Sequence, residues 1–373
     1  MLCSSTFVSC NKESGESEQT TASQTAEPQT TSGTTAEKKK ENVKYYMTEN
    51  IDKFKITGRY SLLSSGITWD WSASGIEFNA DCEGEIRLNY TSEGPVWFRV
   101  WIDGVKQPDI YKGQNGSNST VLASGLEKGV HTVKVARMTD VKSSKSIISS
   151  VELCGDLLER PADNSFFIEF LGDSLTCGTG NLDGWQGQTE GLGGYQYMDA
   201  TRTFAYQLAN DYVENCDYSF VSIAGSHIAT STKYENFLDV YKYTNYRRNT
   251  TDVWNYTRKA DLVIINLGTN DSMQQLSTDE FKTNLQTLIN DTRATHGENT
   301  PIVFILNMMR ENYITHIWEV LANNGGEASG FYYVLLTPNT SGASSHPSGE
   351  AHDDAAEEIA DFLKEKNLCN IKN

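Results

Sequence analysis

Residues 166–176 read FFIEFLGDSLT. The run 166–171 is short, continuous and mostly apolar, the pattern of a strand covered on both faces of a parallel sheet. Gly172-Asp173-Ser174 then ends it abruptly and leaves a hydroxyl at a strand-to-helix turn. Four more runs of the same kind follow, at 218–223, 262–267, 302–306 and 332–336. Amphipathic helices are expected between them. Ser277 and Glu280 make a capping box, followed by an apolar stripe of Phe281, Leu285, Leu288 and Ile289. The last helix is expected to open near Ser348, with Ala351, Ala355, Ile359, Phe362 and Leu363 on one face. Strand–helix alternation from 161 to 373 predicts a doubly wound α/β domain, whose functional groups sit in loops after the strand ends.

Those loops carry unusual residues. The first holds Gly172-Asp173-Ser174-Leu175-Thr176, the second Ala224-Gly225-Ser226, the third Gly268-Thr269-Asn270-Asp271. Ser344-Ser345-His346-Pro347 stands just before the last helix. Acyl transfer by serine needs a nucleophile, a base and donors for the developing oxyanion. Ser174 is the expected nucleophile, its turn permitted by Gly172, and His346 the expected base and later acid. The N–H groups of Ser174 and Gly225 and the Asn270 side-chain amide are the expected oxyanion donors. Taken singly, each of these residues has a plain reading: a chance G-D-S, a turn glycine, an Asx turn, a surface histidine. Their order and their common placement after strands favour the chemical one.

Ahead of this domain, residues 45–160 alternate with period two. Ile86, Leu88 and Tyr90 interleave with Glu85, Arg87 and Asn89, and Phe98, Val100 and Ile102 with Trp97, Arg99 and Trp101. Val133 and Val135 flank Lys134. Asp103-Gly104 and Lys128-Gly129 read as turns between strands. The expectation is an all-β sandwich of jelly-roll type. Trp69, Trp71, Trp97 and Trp101 could stack on sugar rings, although each ring taken alone is better read as core or interface cover.

Residues 1–44 read as a signal remnant and tether. Phe7-Val8-Ser9-Cys10 resembles a bacterial lipobox, so a lipid anchor at Cys10 is expected, without the basic flank of a full signal peptide. Residues 11–41 have alanine as their only aliphatic type and no aromatic, too little to offset ordering entropy. No apolar run approaches the ~20 residues of a membrane span. The net charge of −18 disfavours nucleic acid and anionic membrane surfaces and leaves a neutral sugar polymer as a compatible partner. The seven cysteines form no C-x-x-C pair or zinc-spaced cluster, and a single bridge, for example Cys82 to Cys154, stays open.

Gly172-Asp173-Ser174, Gly225, Gly268-Thr269-Asn270-Asp271 and His346-Pro347 resemble four conserved blocks of the SGNH (GDSL-like) hydrolases. The longer stretches 168–178 and 265–271, with Gly125-Leu126, Gly129, His131 and Arg137-Met138-Thr139-Asp140 upstream, resemble carbohydrate esterase family 2. That resemblance covers about 55–365. It implies a jelly roll before a three-layer SGNH domain, and acetyl esterase activity on xylan or glucomannan, with a preference for 6-O-acetyl groups. It also implies no metal or organic cofactor. It carries the roles above over to Ser174, Gly225, Asn270 and His346.

One position departs from the broader pattern. Three residues before the histidine, where many relatives have aspartate, stands Ala343. The imidazole is then oriented by a backbone carbonyl, by Ser344 or by a distant acid, and the resemblance implies that a Ser–His dyad is tolerated. His352, Asp353 and Asp354 are expected on the helix surface, and Ser226-His227 either shapes the pocket or does nothing. Trp185, Tyr195, Trp254 and Tyr256 are the candidate sugar-stacking residues. The expected activity is acetyl ester hydrolysis on polysaccharide by an exported, surface-held enzyme. Two alternatives are an esterase for lipid or thioester acyl groups and a non-catalytic carbohydrate-binding lipoprotein.

Overall fold

In the computed structural model, the described residues are 41–182, 194–232, 235–246, 252–311 and 313–372. The expected anchor at Cys10, nearly all of the tether and Trp185 lie outside them. The first sheet has ten strands: β1 (Val43–Tyr46), β2 (Lys55–Thr57), β3 (Leu62–Leu63), β4 (Gly66–Thr68), β5 (Gly75–Glu93), β6 (Val96–Ile102), β7 (Val105–Lys106), β8 (Tyr111–Gly113), β9 (Gly116–Arg137) and β10 (Lys145–Leu157). The second has five: β11 (Phe166–Gly172), β12 (Cys216–Ser222), β13 (Leu262–Asn266), β14 (Ile302–Leu306) and β15 (Phe331–Leu335).

The jelly roll is built on two long strands. β5 and β9 pair antiparallel along most of their length, and three register shifts lie between Cys82 and Arg87. At each shift β9 contributes one residue more than β5, which bends the pair and increases its twist. The alternation read from sequence holds: Ile86, Leu88, Tyr90, Phe98, Val100, Val133 and Val135 are all buried in one cluster. Asp103-Gly104 does make the turn from β6 to β7, with both residues at positive φ. Lys128-Gly129 does not make a turn. It lies inside β9 with Gly129 opposite Cys82, because the extra residues there bend the strand rather than end it. Cys82 and Cys154 lie on paired strands, but Cys82 faces Gly155 and Cys154 faces Glu83, and no disulfide joins them.

The parallel sheet runs β12-β11-β13-β14-β15. Progress across the sheet reverses at β11, and open α/β sheets bind ligands beyond the strand ends at such a switch point. Gly172, Ser222 and Asn266 sit level with one another at the ends of the three neighbouring strands. The capping box at Ser277 caps the helix Thr278–His296, and Ser348 caps the helix Gly349–Glu365.

The two sheets belong to one compact unit, Lys40–Asn373. Their cores interlock. Trp71 and Val141, from loops of the first sheet, pack in one cluster with Leu171, Val221 and Ile223 of the second. Arg59, 1% exposed, donates to Glu169 at 2.9 Å on β11, and the same carboxylate meets His296 Nε2 at 2.9 Å. The opposed charge of Arg59 and the histidine bond hold the buried Glu169 carboxyl below its usual range, against burial, which pushes it up. Trp69 and Trp71 are 1% and 0% exposed, so neither can receive a sugar. Trp97 packs edge-on to Tyr195 and Trp101 stacks on Tyr206, covering the seam between the sheets.

Trp71 also donates Nε1–H to Thr244 O at 2.8 Å across that seam. Trp71→Ala removes a fully buried ring and this bond together, and is expected to cost about 3–5 kcal/mol. A lowered urea midpoint for the full chain would register that loss.

Candidate functional site

Ser174 opens a single helical turn, Ser174–Cys177, directly after β11. The Asp173 side chain caps this turn by accepting from Leu175 N at 3.0 Å. Gly172 is required by crowding: a Cβ there would lie 2.0 Å from Thr176 Oγ1. The serine is 6% exposed.

His346 reaches it from the other end of the chain. Nε2 lies 2.9 Å from Ser174 Oγ, and Nδ1 lies 3.0 Å from the backbone carbonyl of Ser344. A carbonyl oxygen can only accept, so Nδ1 carries the proton and Nε2 presents a lone pair to the hydroxyl. Of the three supports left open by Ala343, the backbone carbonyl lies at hydrogen-bond distance. Its aim depends on backbone shape: Ser344 has φ 55°, ψ 34° and Ser345 has φ 57°. Such left-handed residues are costly and persist where surrounding contacts enforce them. Here Gly342 N–H donates to His346 O at 2.8 Å and Ala343 N–H to Gly180 O at 2.9 Å. Burial and the nearby Arg310 charge both lower the His346 pKa below 6.5, and the Ser344 bond opposes them. The imidazole is therefore neutral at pH 7.

Asn270 follows β13 in the turn Thr269–Met273. Its amide nitrogen donates to Ser226 O at 2.8 Å and to Asp173 Oδ2 at 3.2 Å. The amide is thus beside the serine turn, with its hydrogens directed to these two oxygens. Burial pushes the Asp173 carboxyl up to about 7, against the Leu175 N–H, which favours the anion. Gly225 has φ 77° and follows β12, and its N–H donates to no protein acceptor among the described residues. The structure thus brings the serine and the imidazole together, and sets Gly225 and Asn270 in the loops after the two flanking strands.

Two groups in this arrangement were given no role from sequence. Asp271 accepts from Ile228 N at 3.0 Å and Ala229 N at 2.7 Å, and so anchors the loop that holds Gly225. Its own carboxyl is pushed up to about 6 by burial. Gly180 sits against the histidine loop at φ 79°, where a Cβ would lie 2.3 Å from Ala343 O and 2.9 Å from His346 Cβ. The spacing Gly178-Thr179-Gly180 just after the serine turn was the available signal.

Other expectations are corrected. Trp254 and Tyr256 precede β13 and therefore lie at the amino edge of the sheet. Trp254 meets Tyr60 at 6.3 Å, and Tyr256 OH accepts from Arg59 while its ring meets His296. Neither joins Ser174. Tyr195 is partly covered by Trp97. Ser226 and His227 are both 0% exposed, so they shape the loop from within. Asp354 is exposed as expected, but Asp353 is held by Arg202 at 3.2 Å and Gln207 at 2.8 Å. His352 is not on the surface. It is fully buried, its ring stacks on Phe204, and Nδ1 accepts from Phe204 N at 3.2 Å.

Burial lowers the His352 pKa to about 3, with the His346 and Arg202 charges adding to it. The folded value lies below the unfolded 6.5, so the unfolded chain binds a proton that the native state refuses. Stability is unaffected above pH 6.5 and falls as pH drops from there toward 3, by on the order of 3–5 kcal/mol. His352→Asn retains an acceptor for Phe204 N–H without the titration. Its melting temperature is expected to depend less on pH between 6.5 and 4 than that of the wild type.

Residues 170–368 match the GDSL-like Lipase/Acylhydrolase family and residues 56–161 match the carbohydrate esterase 2 N-terminal module. The chain is 27% identical over 319 residues to the cellulase/esterase CelE of Acetivibrio thermocellus, covering 79% of this chain and 37% of that protein, so it spans little more than a third of this relative. Two solved structures share the fold. A family two carbohydrate esterase from Clostridium thermocellum, in complex with cellohexaose, aligns with TM-score 0.76 and 22% identity over 84% of this chain and 99% of that one. An acetyl xylan esterase from Butyrivibrio proteoclasticus aligns with TM-score 0.76 and 19% identity over 88% and 99%. The first sheet carries the match to the carbohydrate esterase 2 N-terminal module, the second carries the serine turn, and the chain belongs to the GDSL-like Lipase/Acylhydrolase family.

Proposed function

We propose that this chain removes O-acetyl groups from plant polysaccharide, xylan or glucomannan, through an acyl-enzyme formed on Ser174. The observation that carries the reading is the relay from Ser344 O through His346 to Ser174 Oγ, with both contacts at hydrogen-bond length. Ser174 Oγ attacks the acetyl carbonyl carbon while its proton passes to His346 Nε2. The N–H groups of Ser174 and Gly225 and the Asn270 amide receive the negative oxygen, the amide shifting hydrogen bonding from Asp173 toward it. Collapse breaks the bond to the sugar oxygen, which leaves with the proton from Nε2. Water then repeats the sequence and releases acetate. The imidazolium is supported by a carbonyl dipole rather than a full charge, so the dyad works without a third ionised member.

A polymer substrate is supported by the relatives: CelE is named a cellulase/esterase, and the two similar structures are a cellohexaose complex and an acetyl xylan esterase. We further propose that 45–160 and 161–373 act as paired modules, and that 1–44 tethers the enzyme to the bacterial surface through Cys10. Among the described residues no helix is long and apolar enough to cross a membrane.

Acetate release from acetylated xylan and glucomannan tests the reading. Ser174→Ala is expected to lower kcat by about 10⁴-fold or more, and Asn270→Ala by ~10²–10³. Undiminished polymer binding by a wild type that turns over no acetyl ester would sink it. Because His346 must be neutral to take the proton, kcat/KM is expected to stay above half its plateau as pH falls to 6.5 and to halve only below that value. Arg310→Ala should move that limb upward, since it removes one cause of the lowered pKa. Gly180→Ala forces a Cβ into the histidine loop and is expected to reduce kcat by about tenfold or more, displacement of a catalytic group being costly.

A further inference from the structure

We propose that Lys142, supplied by the jelly roll, is a positioning residue that orients the Gly225 N–H toward the reacting acyl group. The inference rests on the reading of that N–H as an oxyanion donor. Lys142 Nζ donates to the carbonyl of Ala224. This carbonyl and the Gly225 N–H belong to one peptide unit. In a trans peptide the two point in opposite directions within a rigid plane. Fixing the oxygen therefore fixes the hydrogen.

Without such a hold the unit is easily turned. Gly225, at φ 77°, has no Cβ to penalise rotation of the peptide before it. A rotated peptide would aim a carbonyl oxygen where a proton is needed and would repel the oxyanion. The ammonium also polarises the unit it touches. A charge-assisted bond at the oxygen deepens the positive end at nitrogen, which strengthens the donor when negative charge develops.

The lysine is a long side chain, but its base is clamped. Asp140 Oδ1 accepts from Lys142 N at 3.1 Å, Ser143 N at 3.0 Å and Ser143 Oγ at 2.8 Å. Asp140 is 3% exposed, its carbonyl accepts from Arg137 Nη2 at 2.8 Å, and its N–H meets Met198 Sδ at 3.2 Å. Val141, between the two, is buried among Leu171, Val221 and Ile223, next to the strand ends that carry the site. The loop between β9 and β10 is thus built as a bracket from which the ammonium reaches the second strand's loop.

Steady-state hydrolysis of p-nitrophenyl acetate by the full chain tests this, with Ser174→Ala, Lys142→Met and Lys142→Arg beside the wild type. Lys142→Met is expected to lower kcat by about tenfold, a fraction of what total loss of an oxyanion donor costs. KM should stay within roughly twofold, and the melting temperature within about 2 °C, because the side chain is exposed. Lys142→Arg should recover at least half of kcat. Wild-type kcat in Lys142→Met, with Ser174→Ala inactive, overturns the proposal while leaving the esterase reading intact. So does a Lys142→Arg variant as slow as Lys142→Met. Activity retained in Ser174→Ala overturns the esterase reading itself.

Discussion

The carbonyl of Ser344 is the acceptor on which the contact between His346 and Ser174 depends. It fixes the tautomer of His346, and through it the direction of the lone pair that faces Ser174. A carboxylate in that role would bring its own charge and would raise the imidazole pKa. A carbonyl brings only a dipole, so burial and Arg310 prevail and the base stays neutral. The arrangement exchanges a charged side chain for an unusual backbone, two consecutive left-handed serines held by the Gly342 and Ala343 amides.

The jelly roll is structurally continuous with the domain that bears the serine. Trp71 and Val141 pack inside the α/β core, and the guanidinium of Arg59 is neutralised by Glu169 on β11. Removing one member of that pair would strand a buried charge, at a cost of about 3–5 kcal/mol. The sheet that carries Ser174 therefore has its core completed by the other packed on it.

Much of this was legible in the chain. All five parallel strands were readable because each is a compact apolar run closed by a polar loop, and the first ends at Gly172-Asp173-Ser174. Ser174 and His346 were found because they stand in order with Gly225 and Asn270, in the loops after strands and just ahead of the last helix. The histidine's partner was not legible, since a backbone carbonyl has no letter of its own. Trp254 and Tyr256 were misplaced because aromatic composition was weighed ahead of position: they precede a strand, and the candidate site lies after strands. Lys128-Gly129 looked like a turn because a bulge and a turn use the same residues. His352 looked exposed beside two aspartates, but its own face of the helix packs against Phe204.

The serine turn and the histidine loop are stitched to each other, not only to the sheet. Thr179 N–H donates to Ser174 O at 3.0 Å, and one residue later Gly180 O receives the Ala343 amide. Ser174 and His346 are thus joined by a path of a few residues, although they stand 172 positions apart in the chain. A displacement of either loop would carry the other with it, so the separation of hydroxyl and imidazole is insulated from shifts elsewhere in the molecule.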